Sequence, residues 1–83
     1  MAIKIQRLPD VLADNGDSRS THYANINKGL WPKPVKIGLR SSGWPEEENK
    51  AINAARIAGK TPDEIRELVA KLEAARKTLP EAI

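Results

Sequence analysis

The sequence predicts a mainly α-helical fold with a small β-hairpin, followed by a C-terminal αα-hairpin. Three observations predict it. Gly16, between Asn15 and Asp17, separates two short helical patterns. Trp31-Pro32-Lys33-Pro34 divides the second of these from a β-branched run, because proline lacks a donor and drives its predecessor towards extended geometry. Thr61-Pro62-Asp63-Glu64 opens a long segment with a threonine cap, proline at the first helical position and a glutamate three residues after the cap.

Residues 3–8 alternate apolar and polar, which suits a short strand or an extended lead-in. Pro9 and Asp10 then fit the first turn of a helix, with Leu8, Val11 and Leu12 as its inward stripe. Ser18 caps a second helix that runs to Asn27 or Lys28, and Gly29 stands where a helix-ending glycine belongs. With Ile26 at the centre of the buried face, His22 and Leu30 fall beside it. Ser20, Thr21, Ala24, Asn27 and Lys28 then point away. Val35-Lys36-Ile37 and Ser42-Gly43-Trp44 read as two strands around a tip carrying Arg40, with Val35, Ile37 and Trp44 turned towards the helices. Pro45 opens a third helix whose first turn holds Glu46, Glu47 and Glu48, as the helix dipole favours, and whose apolar side is Ile52, Ala55 and Ala58. Gly59 stops it. The last helix carries Ile65, Leu68, Val69, Leu72 and Ala75, expects Glu67–Lys71 and Glu73–Lys77 ion pairs, and ends at Pro80. Two short helices joined by a glycine-containing turn, then a basic-tipped hairpin, make a winged helix-turn-helix.

The 83 residues allow one domain with a small core, in which about 60–65% of the unfolded surface is buried. There is no cysteine, so disulfides and thiolate metal sites are excluded. A single histidine leaves no zinc ligand set, and no metal or other cofactor is expected. No Ser/His/Asp set or glycine-rich phosphate loop is present, which argues against an enzyme. No apolar run approaches membrane length and no signal-peptide core stands at the N-terminus, so the expected location is the cytoplasm. The net charge is +3, unevenly spread. Residues 1–44 hold seven cations (Lys4, Arg7, Arg19, Lys28, Lys33, Lys36, Arg40) against Asp10, Asp14 and Asp17, a balance of +4, whereas residues 45–83 carry −1. A basic first half suits a polyanion.

The run Arg7-Leu8-Pro9-Asp10-Val11-Leu12-Ala13, then Ser18-Arg19-Ser20-Thr21-His22-Tyr23, then Gly29 through Gly38, closed by Gly43-Trp44, resembles the AlpA family of phage regulatory proteins. The resemblance covers roughly residues 5–58 and implies a MerR-like or excisionase-like winged helix. It also implies a regulator of prophage or mobile-element genes, acting as transcriptional activator, as excisionase (recombination directionality factor), or both. The expected partners are double-stranded DNA, a tyrosine or serine integrase, and further copies of the chain on DNA. Three positions depart from the family's pattern: Asp17 where an apolar residue is usual, His22 where Ile or Leu is usual, and Asn49 where valine is frequent.

By position, the second helix becomes the recognition helix and the hairpin the wing. Arg19 is a candidate for a guanine edge, the alternatives being a phosphate contact or an internal pair with Asp10 or Asp14. Ser20 and Thr21 offer hydroxyls to phosphate or bases, Thr21 equally to the helix cap. Tyr23 offers its hydroxyl to phosphate or packs its ring at the core margin, and Asn25 is a candidate for adenine. Ala24 and Lys28 complete the helix face, Lys36 and Arg40 belong to the wing and meet phosphate or the minor groove, and Lys33, Ser41 and Ser42 complete the candidate DNA-binding set. His22 is expected to be partly buried with one nitrogen satisfied, or to face DNA as a donor. Trp31 and Trp44 are expected as core and wing anchors. Residues 1–59 form the expected DNA-binding unit, with 60–83 a helical extension packed on it or used for self-association. The competing reading is a protein-interaction module whose C-terminal helical hairpin binds a partner such as an integrase, motivated by the Ile65-Leu68-Val69-Leu72 stripe.

Overall fold

The computed structural model describes residues 4–77. Ile3, expected to start the first strand, and Pro80, expected to end the last helix, lie outside them. Among the described residues the order is β1 (Ile5–Gln6), α1 (Leu8–Asn15), α2 (Arg19–Asn27), β2 (Val35–Lys36), β3 (Ser42–Pro45), α3 (Glu46–Ile57) and α4 (Pro62–Ala75). The fold is thus mainly helical, with one three-stranded antiparallel sheet ordered β1-β3-β2.

β3 is the centre of the sheet. Its Gly43 pairs with Val35 and its Ser42 with Lys36, while Trp44 pairs with Gln6 and Pro45 with Ile5. Only glycine fits at position 43: a Cβ there would stand 2.6 Å from Ile5 Cγ2 and 2.7 Å from the Gln6 carbonyl oxygen. The lead-in strand therefore closes tightly over the hairpin. Pro45 does not open α3 as the sequence suggested. It ends β3 and precedes the helix in extended geometry, without a side-chain cap. Instead the Glu46 N–H donates to the Lys4 carbonyl at 2.8 Å, so the β1 end supplies the acceptor a capping side chain would have given.

Local punctuation works as the chemistry requires. Gly16 ends α1 in the left-handed region at φ 73°, and its N–H donates to the Leu12 carbonyl. The Ser18 hydroxyl accepts from Thr21 N–H at 3.2 Å, capping α2. Thr61 and Glu64 close a reciprocal capping box at 3.2 and 3.0 Å.

One apolar cluster joins the elements. Val11 of α1, Trp31, Trp44 of β3, Ile52 and Ala55 of α3, and Ile65 and Val69 of α4 are its buried members, with Leu8, Ile26, Leu30, Leu68 and Leu72 packed against it. Ala58, expected on the apolar side of α3, is exposed, because α3 has ended and the chain is turning towards Gly59. Ile37, expected to face the helices, is 41% exposed: pairing stops at Lys36, and the chain there already turns into the hairpin tip.

His22 overturns both expectations made for it. It is fully buried, and among the described residues neither ring nitrogen has a hydrogen-bond partner. Helical spacing aims position 22 straight into the core, where the imidazole meets aromatic rings edge-on, at 5.0 Å from Trp44, 5.5 Å from Trp31 and 6.0 Å from Tyr23. Burial pushes its pKa below the usual 6.5, against a smaller opposing pull from the Asp17 carboxylate.

α4 is tied to the rest of the chain by polar contacts that the sequence did not announce. Arg76 grips Glu48 with two bonds, Nε to Oε2 at 2.8 Å and Nη2 to Oε1 at 2.6 Å, and Nη2 also donates to the Lys33 carbonyl at 2.7 Å. Glu48 is therefore more than a dipole-complementing charge at a helix start: its side chain is 6% exposed and committed to Arg76. The Lys33 N–H donates to Glu73 at 2.8 Å. Arg66 donates from Nε to the Lys28 carbonyl at 2.9 Å, satisfying an acceptor left open at the end of α2. Neither the Glu67–Lys71 nor the Glu73–Lys77 pair forms among the described residues. Glu73 faces the Lys33 backbone instead, and along α4 the pairs that do form lie at its start, Lys60–Glu64 and Asp63–Arg66.

Candidate nucleic-acid interface

Two elements carry the sequence-predicted residues. On α2, Arg19, Ser20, Thr21, Tyr23 and Lys28 are exposed and Ala24 is partly covered. Ser20, Ala24 and Asn27 lie on the side of the helix opposite buried His22, so they form the centre of its free face. Asn27 was missed as a candidate although its spacing placed it there. Asn25 sits apart from this face: half-buried, it lines a cleft of about 230 Å³ with Leu30, Trp31, Arg56 and Ile65. Thr21 serves the helix start as well as the surface, since the Ser18 hydroxyl donates to its Oγ1 at 3.0 Å.

On the hairpin, Lys36, Arg40 and Ser42 are exposed and Ser41 is partly covered. The tip is closed by two bonds to one carbonyl: Ile37 N–H and Gly38 N–H donate to the Ser41 oxygen at 2.9 and 3.3 Å. Lys33 presents its side chain outward while its backbone is held by α4. The segment between α2 and the hairpin is also fixed from the sheet, because the Trp44 indole N–H donates to the Pro32 carbonyl at 2.8 Å. Both indoles are buried, as expected of anchors, and Arg56 lies over the Trp31 ring at 6.0 Å.

Pairing separates most of the second-half cations from those of the first half, although Lys71 and Lys77 of α4 and its end are also without a carboxylate partner among the described residues. Lys50, Arg56, Lys60, Arg66 and Arg76 each have a carboxylate partner. Among the described residues, Lys4, Arg7, Arg19, Lys28, Lys33, Lys36 and Arg40 have no carboxylate partner within ion-pair range. Arg19 in particular pairs with neither Asp10 nor Asp14. Asp14 accepts from Gln6 instead, and Asp17 is taken by Arg56 at 3.2 Å. The uncompensated positive charge of residues 4–44 is thus available to an outside anion.

Such a molecule is small, basic and mainly helical, and most of the cations without a carboxylate partner among the described residues lie in the first half of the chain, Lys71 and Lys77 being the others. Comparison with known families makes this specific. The sequence profile of the prophage CP4-57 regulatory protein (AlpA) matches residues 4–51, and the chain belongs to that family. The match takes in all seven unpaired cations of the first half and stops within α3, leaving α4 outside. Uncharacterized protein ORF88 of Enterobacteria phage P4 is 43% identical over 54 residues, which is 65% of this chain and 61% of that protein. No solved structure gives a significant match. Among the described residues no helix is long and apolar enough to cross a membrane.

Proposed function

We propose that the protein is a sequence-specific double-stranded DNA-binding regulator of a prophage or mobile element, built as a winged helix-turn-helix. In this reading α1 and α2 are the helix-turn-helix, α2 enters the major groove, and the β2–β3 hairpin is the wing. Arg19, Ser20, Tyr23, Ala24, Asn27 and Lys28 are the residues α2 offers to the groove and its edges. Thr21 adds a hydroxyl at the helix start, while Asn25 reaches only from the flank. Lys33, Lys36, Arg40, Ser41 and Ser42 hold phosphates. The observation that carries the reading is that the cations of residues 4–44 have no carboxylate partner among the described residues, beside a helix whose free face is small and polar. Within the proposed 1–59 DNA-binding unit the described residues 4–59 supply this surface, and 60–77 of the extension brace it. The apolar stripe of α4 sends Ile65 and Val69 into the core, so it lends no support to a separate protein-docking module. The regulator activates transcription, directs an integrase towards excision, or does both. One chain offers one half-site, so regulation takes several copies on repeated sites.

The test is binding to duplex fragments of the element that encodes the protein, with a footprint to locate the site. Arg19→Ala and Arg40→Ala should each weaken binding and lower the salt slope by about one. Negligible affinity at low salt, or two substitutions without effect, would sink the reading. In vitro excision with the element's integrase separates the directionality role from the activator role.

A further inference from the structure

We infer that Leu39, at the tip of the β2–β3 hairpin, is an apolar wedge that enters the minor groove beside Arg40 and opens a base step. The inference rests on the DNA-binding reading above and adds to it a residue that carries no charge and no hydrogen-bonding group.

Leu39 is 94% exposed, more than any other large apolar side chain of the described residues, and Ile37 two positions earlier is 41% exposed. A lone exposed leucine is unremarkable on most surfaces. This one stands at the apex of a turn held in shape, where Ile37 and Gly38 both donate to the Ser41 carbonyl. The leucine and Arg40 therefore project together from a narrow, hydrogen-bonded tip. Among the described residues no carboxylate pairs with Arg40 or with Lys36 at the tip's base, and Ser42 opposite Lys36 is exposed. An occupant that suits this tip must present anionic groups at its rim and an apolar slot within. A duplex minor groove does both: phosphates line its walls, its narrow stretches attract arginine, and its base steps accept leucine between them when they unstack. A flat phosphate contact would use Arg40 and leave Leu39 idle in water.

The experiment uses duplexes retained by the wild-type chain from a random-sequence pool, end-labelled for energy transfer and carrying 2-aminopurine at successive steps. Wild-type protein should shorten the end-to-end distance and raise 2-aminopurine fluorescence at one step. Leu39→Ala should still bind the same duplex but lose most of both signals, and Leu39→Met should restore them. Arg40→Ala should instead weaken binding and lower the salt slope by about one, with the fluorescence rise retained at saturation. If Leu39→Ala bends and unstacks the duplex as wild type does, the wedge is overturned while the DNA-binding reading stands. If the pool yields no retained duplex, both fall. If Leu39→Ala abolishes self-association measured by sedimentation and leaves the bend unchanged, the tip is a contact between copies and the wedge is again overturned. Circular dichroism of each variant should match wild type, since nothing in the fold covers this side chain.

Discussion

His22, on the core side of α2, has no hydrogen-bond partner for either ring nitrogen among the described residues and lies edge-on to two indoles. Burial keeps water from the ring and no acceptor meets either nitrogen, so the charged form is disfavoured and the pKa falls below 6.5. The unfolded chain still titrates at its ordinary value. Between the two values the unfolded state binds more protons, so stability rises with pH there. Thermal stability should accordingly be full above pH 6.5 and decline as the pH falls through that value, levelling only below the folded pKa. His22→Leu should flatten this decline and leave stability at neutral pH equal or higher, because an apolar side chain replaces an unpartnered polar one. Melts across pH check both, and an unchanged pH slope in the variant would assign the effect to another group. Helical spacing alone located the ring near the core. What it left out was the company: Trp31 and Trp44 arrive from 9 and 22 positions later in the chain, and no local pattern reports that they leave the nitrogens bare.

The Glu48–Arg76 pair joins α3 to the end of α4, with the carboxylate side chain 6% and the guanidinium 20% exposed. Removing one partner strands a buried charge. Arg76→Met should cost about 3 kcal/mol in denaturant melts, with Glu48→Gln/Arg76→Met recovering part of it. A loss within a few tenths of a kcal/mol would show the pair to be a surface ornament. The capping box gives a smaller, local effect: Thr61→Ala should cost about 1 kcal/mol. These two cases mark what was legible. Thr61–Glu64, Ser18–Thr21 and Gly16–Leu12 are settled within four residues, so their chemistry can be read along the chain. Glu48–Arg76 and Lys33–Glu73 span 28 and 40 positions, and only folding brings them together. For that reason the expected Glu73–Lys77 pair gave way to a long-range bond.

At the scale of the whole molecule, α4 contributes Ile65 and Val69 to the same cluster as Val11, Trp44 and Ile52. A chain this size has little apolar area to spare. Truncation after residue 59 should therefore abolish the cooperative thermal transition. A sharp melt of the 1–59 fragment would show instead that the last helix is a separable addition. The candidate surface was legible in outline, since the excess of cations in residues 1–44 shows in the sequence. Their lack of partners was not, because Asp14 and Asp17 stand close by in sequence and are drawn off by Gln6 and Arg56. The exchange of Asn25 for Asn27 on the free face has a similar origin: position 25 flanks the buried side, and the cleft towards α3 and α4 claims it.

The stretch Pro32–Lys33 accepts the Trp44 indole bond, donates to Glu73 and accepts from Arg76. These three bonds leave the connection between α2 and the hairpin no hinge to swing on. Helix and hairpin tip consequently behave as the two jaws of a fixed calliper, whose opening is set when the chain folds. Under the proposed DNA-binding reading, ordering that connection would cost nothing further on binding, and a duplex whose two contact points are spaced differently would have to deform to be gripped.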